Sequence, residues 1–95
     1  LSARVEVSCR SVEDGWACTA TVVDVDGQTR HEVTVSGAER ERFAPNVTPE
    51  QLVEESFRFL LEREPKEAIL RQFAISAIER YFPDYGAAIS ERMSS

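Results

Sequence analysis

The sequence is short of the residues that most often carry chemistry. It has one histidine, His31, and two cysteines, Cys9 and Cys18. A four-ligand zinc site needs more Cys and His than this, and neither cysteine has a partner at zinc spacing. No metal and no cofactor is expected. No apolar run approaches the roughly 20 residues that a membrane helix requires. The opening, LSARVEVSCR, has no apolar h-region, so no signal peptide is expected, and it has no initiator Met, so the start is expected to be a processed or trimmed end. On these grounds the chain is expected in the cytoplasm, with reduced thiols. There is also no basic block. Lys and Arg number 11 against 17 Asp and Glu, for a net charge of −6. Phosphate backbones and anionic membrane surfaces repel such a chain. Nucleic acid is therefore a disfavoured partner and a membrane is not expected.

What is present describes an ordinary folded chain. Its 95 residues are 42% hydrophobic and 29% charged. That suits a single α+β domain with one modest core, over residues 1–95. Residues 1–44 read as a β-meander and 48–92 as a helical part.

In TATVVDVDGQTRHEVTV, Asp26-Gly27 is a hairpin signal. A two-residue loop there pairs Val22 with His31, Ala20 with Val33 and Cys18 with Val35. Trp16, Cys18, Ala20, Val22, Val33 and Val35 then share one apolar face. Thr19, Thr21, Arg30, Glu32 and Thr34 share the wet one. Asp14-Gly15 marks a second turn, and an earlier strand, Arg4–Arg10, adds Val5, Val7 and Cys9 to the apolar face. The expected sheet has three antiparallel strands. Cys9 and Cys18 lie on neighbouring strands, near enough to bridge, and are read as two buried free thiols.

The second half reads as three to four helices on that face. Thr48, Pro49 and Gln51 form a capping box. Leu52, Val53, Phe57, Leu60 and Leu61 fall in one arc, with Glu54, Arg58 and Glu62 opposite. Pro65 ends this helix at Glu64 and starts another, to about Gln72, with Ile69, Leu70 and Phe73 facing the core. Ser76 to Glu79 reads as a further capping box for a third helix before Pro83. A last helix begins near Tyr85.

Several local patterns have simpler explanations than chemistry. Asp24-Val25-Asp26-Gly27 imitates the DxDG of haloacid-dehalogenase-type phosphatases, but the hairpin turn accounts for it. Asn46-Val47-Thr48 matches a glycosylation sequon, but helix capping explains Thr48. Arg40-Glu41-Arg42 reads as a solvated loop or strand end. His31 has no accessible nucleophile to activate if both thiols are in the core. No catalytic residue is expected, and the chain reads as a non-enzyme.

Two features point to binding. Residues 65–82 outline a helix-turn-helix in which Lys66, Arg71 and Arg80 would contact phosphates. Tyr81 and Tyr85, beside Phe82 and Pro83, form an aromatic corner of the kind favoured at protein interfaces. The leading expectation is a small protein-interaction or regulatory domain, binding a protein partner or itself as a homodimer. A nucleic-acid-binding regulator using residues 65–82 is the alternative. The segment TPEQLVEESFRFLLEREPKEAILRQF with IERYFPDY, behind a short meander, resembles a group of small uncharacterised bacterial proteins. The likeness covers about the C-terminal half. It carries no known activity, and so implies a bacterial cytoplasmic origin and no catalytic residue.

Overall fold

The computed structural model describes residues 3–94. Three antiparallel strands come first: β1 (Arg4–Val12), β2 (Gly15–Asp24) and β3 (Gly27–Ser36). Two helices follow, α1 (Gly37–Phe43) and α2 (Pro49–Leu61). A one-turn 3₁₀ helix at Lys66–Ala68 leads into β4 (Gln72–Ala74). A second 3₁₀ turn, Ile75–Ala77, runs into α3 (Ile78–Tyr81), and α4 (Tyr85–Met93) closes the chain. The class is α+β as expected, but the sheet has four strands in the order β1-β2-β3-β4, and β4 runs parallel to β3.

The apolar face of the meander is the one the alternation picks out. Cys18, Ala20, Val22, Val33 and Val35 are buried, while Arg30, Glu32 and Thr34 are exposed. The register differs from expectation by two residues. Ala20 pairs with His31, Cys18 with Val33 and Trp16 with Val35. The loop is Val25-Asp26, with Asp24 opposite Gly27, because Gly27 supplies the positive φ (126°) just after the loop. An even shift preserves the faces, since side chains alternate with period two. The first turn likewise falls one residue early. Asp14 takes the left-handed conformation (φ 68°), and Gly15 allows β3 to approach: a Cβ there would lie 2.1 Å from the Val35 carbonyl oxygen.

Two expectations about the sheet's surroundings are corrected. Residues 37–43 form a helix, not a loop at the end of the meander. Ser36 and Glu39 make a reciprocal capping box, with the hydroxyl accepting from the Glu39 N–H at 3.0 Å and the carboxylate from the Ser36 N–H at 2.8 Å. The segment after Pro65 does not form a helix to Gln72. It makes a single 3₁₀ turn and then extends as β4, where the Arg71 carbonyl accepts from the Glu32 N–H at 2.8 Å. This pairs the second edge of β3 over Glu32–Thr34, which helices alone would leave open. A parallel neighbour needs a crossover, and α1 and α2 provide it.

α2 is built as its sequence suggests, though it stops at Leu61 rather than Glu64. Thr48 and Gln51 cap it reciprocally. Leu52, Val53, Phe57 and Leu60 are buried against the sheet, and Phe59 is buried as well, toward α4. Burying each such side chain stabilises by about 1.5–3 kcal/mol. The opposite Glu54–Arg58 pair (3.0 Å) is exposed and adds a few tenths, about 0.2–0.5 kcal/mol. Ser76 caps no helix. α3 begins after Ala77 without a side-chain cap, and Glu79 binds Arg42 instead. The Ser76 N–H donates to Glu39, tying this turn to α1. Among the described residues no helix is long and apolar enough to cross a membrane.

Candidate docking groove

Five of the residues singled out in the sequence have roles that their types do not announce. Lys66 is buried, its ammonium held by Asp24 at 2.7 Å and Glu67 at 2.6 Å. The two carboxylates raise the ammonium pKa, and the ammonium lowers both of theirs. Lys66 therefore does not present a charge to phosphate, contrary to the helix-turn-helix reading. That motif is itself absent, because β4 and two 3₁₀ turns occupy half of residues 65–82 and the one α-helix there, α3, spans only Ile78–Tyr81. Arg71 and Arg80 are exposed.

Tyr85 is fully buried and does not form a surface corner with Tyr81. Its ring packs edge-on against Phe43 and Phe59. The Ser56 hydroxyl donates to the Leu52 carbonyl at 2.7 Å, so its oxygen is left to accept from the Tyr85 hydroxyl at 2.6 Å. Burial raises the phenol pKa, which keeps it protonated as that donor.

His31 is buried between two partners. Nδ1 lies 2.8 Å from the Leu70 carbonyl and Nε2 lies 2.8 Å from the Thr29 hydroxyl. A carbonyl can only accept, so Nδ1 carries the proton of the neutral ring and Nε2 accepts from Thr29. Burial lowers the imidazole pKa and the nearby Arg71 charge adds to this, while the Leu70 carbonyl opposes it. The ring clasps β3 to the segment entering β4.

Cys9 and Cys18 are not free. They sit directly opposite each other in the ladder and form a disulfide. No thiol is left to pair with His31.

Among the described residues one concave surface is mainly apolar. The end of α2, the turn before β4, β4 itself and α3 enclose a groove of about 390 Å³. That is within the range of small-ligand and peptide-side-chain pockets, about 300–1,000 Å³. Leu60, Ile69, Phe73, Ile78 and Phe82 form its floor and walls, and Leu70 and Tyr81 stand at its rim. The rim is notable for its exposure: 48% for Leu70 and 65% for Tyr81, against a core of nearly inaccessible side chains. Glu64 is the one charged residue in the lining, half-buried and without an ion-pair partner among the described residues. β4 is the outermost strand on this side of the sheet.

The sequence singles out Tyr81, which is exposed here, but does not mark the groove. Leu70 and Phe73 were expected in the core, whereas Leu70 is exposed and Phe73 only half-buried. No protein-family model matches this chain, and no curated protein or solved structure is significantly similar to it.

Proposed function

We propose that this chain is a small, non-enzymatic protein-interaction domain, and that the groove beside β4 is where a partner docks. The observation that carries the reading is an exposed apolar rim, Leu70 and Tyr81, over an apolar trough that holds a single unpaired carboxylate, Glu64. The groove borders a short edge strand. An extended peptide segment can add to such an edge through its backbone while its alternate side chains fill the trough. Charge complementarity selects the side chains: apolar residues for the trough and a lysine or arginine for Glu64. A nucleic acid is a poor fit, since the charge of Lys66 is compensated by Asp24 and Glu67 and the groove's one charged lining residue is Glu64. The Cys9–Cys18 bridge removes the reduced-thiol argument for a cytoplasmic setting, because disulfides persist mainly in oxidising compartments.

The test is selection of a displayed random-heptapeptide library on the folded domain. Enriched sequences should be apolar with at least one base. Synthetic versions should lose binding to L70E and Y81E and bind E64Q several-fold more weakly. Enrichment of acidic peptides, or binding that ignores L70E and Y81E, would reject the groove as the docking site.

A further inference from the structure

The opposite edge of the sheet carries a separate inference. β1 spans Arg4–Val12, pairs with β2 residue for residue without a bulge, and contains no proline. Among the described residues no strand pairs with its outer side. Natural sheets usually blunt so long an edge with bulges, proline or charge. Here charge is the device present, and its arrangement is self-complementary.

We propose that two copies of this chain associate by antiparallel pairing of β1 with β1, about a twofold axis at Ser8. The backbone is set for it. Cys9 and Cys18 face each other with Cα atoms 4.0 Å apart, the close spacing of a non-hydrogen-bonded antiparallel pair. The Cys9 N–H and C=O therefore point away from β2, toward the open edge. By alternation so do those of Val5, Val7 and Ser11.

The side chains select the register. A twofold axis perpendicular to the sheet keeps buried face beside buried face only if odd positions meet odd and even meet even. With the axis at Ser8, Glu6 of each copy lies opposite Arg10 of the other, so the wet face gains two opposite-charge pairs. Glu6 already holds its own Arg4 at 2.8 Å, and Arg10 has no carboxylate partner among the described residues. On the other face the half-buried Val7 meets the second copy's half-buried Cys9, and each covers the other. The neighbouring registers are worse. An axis at Val7 sets Arg4 against Arg10, and one at Cys9 leaves Glu6 opposite Val12. The interface is isologous and closes on itself, which explains how an edge this long escapes open-ended polymerisation. It lies at the far side of the sheet from the β4 groove, and neither surface depends on the other.

Sedimentation equilibrium from micromolar to millimolar concentration tests the proposal, with thermal unfolding of each variant confirming the fold. The wild-type chain should reach twice its 10.7 kDa mass. E6R sets arginine against arginine twice and should raise the dissociation constant about tenfold or more. The double variant E6R/R10E should restore it. Under mild oxidation S8C should form a symmetric intermolecular disulfide at position 8. A wild-type monomer throughout, a dimer indifferent to E6R, or a dimer in which S8C does not cross-link would each overturn it.

Discussion

His31 donates its Nδ1 proton to the carbonyl of Leu70, 39 residues further along, at 2.8 Å. This bond joins the meander to the chain that returns from the crossover. Because burial lowers the imidazole pKa, the unfolded chain takes up a proton more readily than the folded one. Stability is therefore complete above the ordinary value of 6.5 and is lost as pH falls below it, toward the lower folded pKa. Urea midpoints measured from pH 8 to pH 5 should decline over the lower half of that range. In H31Q the decline should flatten.

The Tyr85–Ser56 pair gives a graded series. Y85F removes one donor and leaves Ser56 still bonded to Leu52, a loss of about 1 kcal/mol. S56A strands a buried phenol and costs about 1–3 kcal/mol. Y85A adds a cavity beside Phe43 and Phe59, and about 3–5 kcal/mol is expected. Denaturant unfolding should return the three in that order.

Lys66 separates charge pairing from packing. Removing both carboxylates, in D24N/E67Q, leaves a buried ammonium without its counter-charges. K66M removes the charge itself and keeps much of the volume. The melting temperature should fall further for D24N/E67Q than for K66M. The reverse order would show that Lys66 acts mainly as a charge.

The Cys9–Cys18 bridge closes a loop with a sequence separation of 9. Chain-entropy arguments assign such a loop about 2–3 kcal/mol. Reduction with a phosphine should lower the urea midpoint accordingly. The double variant C9S/C18S should match the reduced protein.

What could be read from the sequence depended on how locally each feature is specified. The two faces of the meander follow from alternation alone, and they survive a turn placed one residue off because that shifts the pairing by two and leaves parity unchanged. The Ser36–Glu39 capping box of α1 is also local. The signal was there, in Ser-Gly-Ala-Glu, but the mixed charges after it suggested a loop. β4 was not legible, since three residues carry little pattern and their pairing partner lies about 40 positions earlier. Lys66 is a similar case, because its partner Asp24 is 42 residues away. Tyr81 and Tyr85, four apart, would share a face only on an unbroken helix. The backbone leaves helical geometry at Phe82 (φ −134°, ψ 88°), which turns Tyr85 inward and leaves Tyr81 outside. The groove was missed for the same reason, as its walls come from this break and from β4.

The parallel β4 also has a consequence for the order in which the molecule is expected to assemble. β1, β2 and β3 are joined by tight turns and are expected to zip together early, whereas the pairing of β4 with β3 spans about 40 residues and is expected later. On unfolding it should be the first strand to detach, so amides around Glu32 and Phe73 should exchange with deuterium ahead of those between β1 and β2. The trough beside β4 would then come and go with that detachment.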